Sequence, residues 1–162
     1  MLTTWISGYD CMVYSESSDN GVTWGPITPM PEFKCYQSSH DVFRDSETGI
    51  YYLVWVYNER RSGGMPRSRL SLAMSDDGIN WQYCMDIDRW ESPVAYDSAT
   101  LVHLVDPFVK VVGDYIFAGT GISETLGNYT ETVHKGQSER IYRVPKSSIT
   151  PYPVWPDCVG AE

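Results

Sequence analysis

Two stretches decide the fold: Ser17-Ser18-Asp19-Asn20-Gly21-Val22-Thr23-Trp24 and Met74-Ser75-Asp76-Asp77-Gly78-Ile79-Asn80-Trp81. Aligned on their tryptophans, they match Asp19 with Asp76, Gly21 with Gly78 and Trp24 with Trp81. Each is a compact turn. An Asp carboxylate accepts backbone N–H bonds across a tight turn, and Gly reaches positive φ without steric penalty. Thr23 or Asn80 adds a second polar anchor, and the Trp is expected to fold back onto its sheet. This alignment leaves the second copy without a leading Ser. The tryptophans lie 57 residues apart, and recurring hairpins of this kind mark sheets arranged radially.

Outward from these turns the chain reads as strands. Tyr51–Tyr57 is β-branched and aromatic throughout, and Leu70–Ser75 alternates apolar with small polar residues. Thr100–Val105, Tyr115–Gly119 and Arg140–Val144 follow the same logic. Asp19-Asn20-Gly21, Ser62-Gly63-Gly64, Asp77-Gly78 and Gly113-Asp114 supply turn signals between them. No window of ten or more residues carries a helical stripe. Short strands with frequent turns predict an all-β sandwich, barrel or propeller, and the repeated turn selects the propeller.

Composition narrows the partners. Hydrophobic residues at 42% and charged residues at 20% fit a chain with a real core. The net charge of −9 repels a phosphate backbone, so nucleic acid is not an expected partner. No stretch approaches the ~20 apolar residues of a membrane span, and no signal peptide is visible after Met1. Cys11, Cys35, Cys84 and Cys158 show no paired spacing and read as buried thiols, with disulfides left open. His40, His103 and His134 are scattered; neither a metal nor a cofactor is expected. Asn128-Tyr129-Thr130 matches a glycosylation sequon, which matters only in a secreted eukaryotic protein.

The paired turns resemble the Asp box of the sialidase (neuraminidase) superfamily. The resemblance implies a six-bladed β-propeller, with the boxes at the blade periphery and away from the active site. Asp19, Gly21, Trp24, Asp76, Gly78 and Trp81 are then structural. Propeller repeats take ~40–50 residues, so 162 residues make about three blades. Residues 1–150 are expected to form the C-terminal part of such a propeller and 151–162 a tail. The missing half, or another chain, would complete the wheel, and the chain alone is expected to be inactive.

The chemistry of a sialidase sets which residues to seek. Arginine grips the sugar carboxylate through its planar fork. The nucleophile is Tyr, because a carboxylate would repel the substrate's own. Pro66-Arg67-Ser68-Arg69-Leu70-Ser71-Leu72 is similar to the family segment that carries a substrate-binding arginine. It implies Arg67 for that role, with Arg69 as the one-register alternative. Val94-Ala95-Tyr96-Asp97-Ser98 is similar to the segment that carries the nucleophile, implying Tyr96. The family's earlier arginine has no counterpart near Thr3-Thr4-Trp5, since the first arginine is Arg44. Glu16, Glu32 and Glu59 stand in no matching context. The implied function is an exo-α-sialidase-type glycoside hydrolase acting on a glycan. Two alternatives stand beside it. One is a non-catalytic Asp-box module binding glycan or protein. The other is a five-bladed furanosidase-like glycosidase, to which Val105-Asp106-Pro107-Phe108 and His40-Asp41 are similar.

Overall fold

The structure, a computed structural model, describes residues 2–4, 11–35, 38–57, 69–89, 100–126, 133–152 and 155. Among the described residues, ten strands form three antiparallel sheets. The first holds β1 (Leu2–Thr4), β2 (Cys11–Ser15) and β3 (Thr28–Lys34). The middle one holds β4 (His40–Arg44), β5 (Tyr51–Tyr57), β6 (Arg69–Ser75) and β7 (Gln82–Arg89). The third holds β8 (Thr100–Val112), β9 (Tyr115–Leu126) and β10 (Val133–Pro145). Each sheet follows chain order, so every neighbour is reached by a hairpin connection. The one helical piece among the described residues is the 3-10 turn Lys146–Ser148.

Side chains alternate across a strand, so a strand buried on both faces must be apolar at every position. That is why Tyr51–Tyr57 lacks polar alternation. Tyr52, Val54 and Val56 point to one side of the middle sheet, with Leu70, Leu72 and Cys84. There they meet Leu104, Val109, Ile116, Ala118 and Ile122 of the third sheet. Leu53 and Trp55 point to the other side, with Ala73 and Trp81, and meet Met12, Met30, Phe33 and Cys35 of the first sheet. The middle sheet is thus a central layer with a core on each face.

Three strands, β8, β9 and β10, run further than the apolar pattern alone predicts. The Asp106-Pro107 pair looks like a strand end, yet β8 continues to Val112 through a bulge that drops both residues from the ladder between Val105 and Phe108. Asp106 sits there in the left-handed region at φ 46°, which Asp tolerates better than most residues. The expected tail beyond residue 150 also joins the body. The Tyr152 N–H donates to the Tyr83 carbonyl at 2.8 Å. Trp155 lies edge-on to Phe33 at 4.7 Å and near Trp55 at 5.9 Å.

Candidate functional site

Two loops carry the repeated turn, one joining β2 to β3 and the other β6 to β7. In the first, Asp19 Oδ1 accepts the Thr23 N–H at 2.8 Å and Oδ2 accepts the Thr23 hydroxyl at 2.6 Å. Ser17 donates its hydroxyl to Asp19 at 2.7 Å and accepts the Gly21 N–H at 2.7 Å. These bonds hold the Asp19 carboxyl at a pKa of about 2, with the Thr23 hydroxyl the largest cause.

The second loop corrects the alignment. Its carboxylate is Asp77, not Asp76. Asp77 Oδ1 accepts the Asn80 N–H at 2.7 Å, the Ile79 N–H at 2.8 Å and the Ser75 hydroxyl at 3.0 Å. Its Oδ2 accepts the Asn80 side-chain amide at 2.7 Å. The pKa of Asp77 falls well below the ordinary carboxylate value, with the Asn80 backbone N–H the largest cause. Asp76 is exposed beside it. The reason is a one-residue deletion. The first loop places two left-handed residues after its Asp, Asn20 at φ 57° and Gly21 at φ 88°. The second places only Gly78, at φ 75°. Counting back from the Trp therefore lands one residue early, and the leading Ser that seemed absent is Ser75.

The tryptophans also part company. Trp81 is 7% exposed and sits edge-on to Phe33 at 6.1 Å. Trp24 is 47% exposed and does not return to the core. A third turn of the same chemistry escaped the sequence reading. Asp45, between β4 and β5, accepts the Glu47 N–H at 3.0 Å and the Thr48 hydroxyl at 2.7 Å. Lys146 reaches it from beyond β10 at 3.1 Å. Asp45-Ser46-Glu47-Thr48-Gly49 carries the polar part of the motif without a Trp, and that was the available signal.

Within the middle sheet the Asp77 loop lies at one end, where Gly78 faces the Tyr51 ring. The charged groups lie at the other end. Arg69 stacks on the Tyr57 ring, its Cζ 3.7 Å from the centroid, a contact worth ~0.5–2 kcal/mol. It also pairs with Asp86 at 3.8 Å, and Asp86 accepts the Ser71 hydroxyl at 2.6 Å. A ligand carboxylate at Arg69 would have to displace Asp86. Behind it, Asp88 accepts the Tyr142 hydroxyl and pairs with Arg140 at 3.2 Å, tying the middle sheet to the third. Arg67 and Tyr96 lie outside the described residues. The described strand ends that flank their segments, Tyr57, Arg69 and Arg89, belong to this charged end.

The third constellation joins β4 to β8. Asp41 Oδ2 accepts the Val109 N–H at 2.9 Å and Oδ1 accepts the Val42 N–H at 2.9 Å. Asp106 Oδ1 accepts the Ser39 hydroxyl at 3.2 Å. The structure thus brings together the two Asp segments that sequence reading singled out separately. Both Asp41 oxygens are used by the backbone.

Cys11, Cys35 and Cys84 are buried, and Cys158 lies outside the described residues. Burial pushes the Cys35 and Cys84 thiols up to about 12, so neither is a nucleophile near neutral pH. Among the described residues no three His, Cys, Asp or Glu side chains are placed to hold a metal ion, and no helix is long and apolar enough to cross a membrane. No family model, curated protein or solved structure matches the chain.

Proposed function

We propose that the chain is part of a sialidase-type β-propeller, a glycoside hydrolase that removes a terminal acidic sugar from a glycan. The carrying observation is the pair of Ser–Asp–Thr/Asn loops, each closing a hairpin between consecutive strands of a separate sheet. Three meandering sheets stacked face to face are what successive blades would look like. The charged end of the middle sheet, opposite the Asp77 loop, is the natural mouth of such a wheel. On this reading Arg67 holds the substrate carboxylate and Tyr96 attacks the anomeric carbon. Arg69, fixed by Tyr57 and Asp86, stiffens the start of the strand that follows Arg67 in the chain.

The test is turnover of a fluorogenic sialoside by the protein expressed with any in-frame upstream coding sequence its gene carries. Tyr96→Phe is expected to abolish release of the fluorophore, and Arg67→Ala to raise KM steeply. Release that Tyr96→Phe leaves intact, or its complete absence in the wild type, sinks the hydrolase reading. Retained binding of sialosides without turnover would instead support the non-catalytic glycan-binding module.

A second reading, a furanosidase-like glycosidase, draws on the approach of Asp41 to the strand carrying Asp106. A screen of arabinofuranosides and fructofuranosides with Asp106→Asn distinguishes it.

A further inference from the structure

Each sheet has two faces, and those of the middle sheet are both covered. On the first sheet, Cys11 and Val13 point away from the middle layer and are still buried. The third sheet differs. Its face away from the core is built of cross-strand rows: Glu139–Gly121–Val105, Ile141–Gly119–Phe108, Arg143–Phe117–Lys110 and Pro145–Tyr115–Val112. Ile141 on this face is 63% exposed and Val112 54%, with Phe108 and Tyr115 each 36% exposed. Contiguous exposed apolar rows on a sheet mark an interaction surface.

The rows differ in shape and charge. The first is hollow: a cavity of about 190 Å³ lies around Gly121, lined also by Asp106, Phe108 and Glu139. A methyl group on Gly121 would meet Val105 Cγ2 at 3.0 Å, and one on Gly119 would fall 2.4 Å from the Phe108 ring. Glycine is what keeps the floor low and the Phe108 ring flat upon it. The third row is the opposite, bulky and basic, with Arg143 held over the Tyr115 ring at 4.7 Å.

We propose that this face is the docking surface for a second copy of the same chain. The two-fold axis crosses the strands at the Ile141 row. That operation sets Ile141 against Ile141 and lowers the Arg143–Phe117–Lys110 row of each copy onto the Glu139–Gly121–Val105 row of the other. Arg143 then meets Glu139, Lys110 approaches Asp106, and the Phe117 ring enters the hollow at Gly121. A two-fold axis along the strands would instead oppose Arg143 to Lys110, so charge selects the first arrangement. Strands of 12 or 13 residues, at ~3.4 Å rise and ~4.8 Å spacing, present roughly 40 by 14 Å per face. With the axis at the Ile141 row the copies overlap over about nine residues of each strand, so the pair would bury roughly 800 Å², the size of a weak, transient contact. The dimer is therefore reversible. In the wheel proposed above a further blade would cover this same face, so a dimer of the chain through it competes with that completion.

Sedimentation equilibrium of the full chain over a concentration series tests it. The expected result is a weak monomer–dimer equilibrium, with a Kd on the order of 100 μM, that weakens further with added salt. Ile141→Asp, at an exposed position, is expected to raise Kd about tenfold or more. Arg143→Glu weakens the dimer, and the charge swap Arg143→Glu with Glu139→Arg restores it. Far-UV circular dichroism of each variant verifies the fold. A monomer at every concentration up to about millimolar, or a dimer that Ile141→Asp and Arg143→Glu leave unchanged, overturns the proposal.

Discussion

The Asp19 and Asp77 loops solve the same problem with nearly the same residues and end in different places. Both wrap a carboxylate with a hydroxyl from two residues before and backbone N–H groups after it. Yet Trp81 is a wall of the core between two sheets, and Trp24 stands in solvent. The polar half of the motif closes the turn by itself. The apolar half stabilises only where a neighbouring layer exists to receive the ring. Phe33 and the middle sheet provide that for Trp81.

This comparison breaks most directly at the tryptophans. Trp81→Ala opens a large cavity and is expected to cost about 3–5 kcal/mol, read by urea denaturation. Trp24→Ala should cost under about 0.5 kcal/mol, as surface changes do. Equal costs would show that the first loop also docks. Trp81→Phe sharpens the point. The buried indole N–H of Trp81 finds no acceptor among the described residues, so removing it relieves an unmet donor while keeping most of the ring. It should cost much less than Trp81→Ala.

The carboxylates come next. Asp77→Ala removes the four bonds that its carboxylate accepts, leaving only the Ser75 hydroxyl to hold the Gly78 N–H, and should lower the denaturation midpoint and speed amide exchange at Ile79 and Asn80. Asp76→Ala should leave both unchanged. Asp19→Ala should act like Asp77→Ala on its own loop, with a smaller global effect, because no core residue hangs from it. If Asp76→Ala proved the more damaging, the one-residue deletion would be the wrong account.

Much of this was legible from residues alone. The β-branched and aromatic run Tyr51–Tyr57 announced a strand, and the two turns were visible by their Asp, Gly and Trp. The position of the second carboxylate was not. A pattern anchored on Trp assumes equal loop lengths, and backbone conformation (one left-handed residue or two) decided otherwise. The Asp45 turn is hidden because it lacks the Trp that marks the other two. β8 was cut short because Asp-Pro usually ends a strand, and here the bulge absorbs it. The candidate chemistry is the least legible part. It rests on Arg67 and Tyr96, which lie outside the described residues, and the described alternative Arg69 is occupied by Tyr57 and Asp86.

The smallest expected effect separates the loops by what holds the charge. In the first, the leading cause of the low Asp19 pKa is a side chain, the Thr23 hydroxyl. In the second, the leading causes are backbone N–H groups of Asn80 and Ile79, ahead of the Asn80 side chain. Thr23→Ala should therefore move the Asp19 pKa up from about 2 by more than Asn80→Ala moves that of Asp77, measured by NMR titration of the carboxyl carbons. The linkage has a definite sign. Both carboxyls titrate lower in the folded chain than their ordinary 3.8. Their contribution to stability is complete above that value and lost as the pH falls through it toward the folded pKa. For Asp19 that window runs from 3.8 down to about 2, and Thr23→Ala should narrow it from below. In the second loop the backbone stays in place, so acid should loosen the Asn80→Ala variant over nearly the same range as the wild type. Equal narrowing in both loops would mean that the side-chain partners, and not the turn backbone, set both carboxylates.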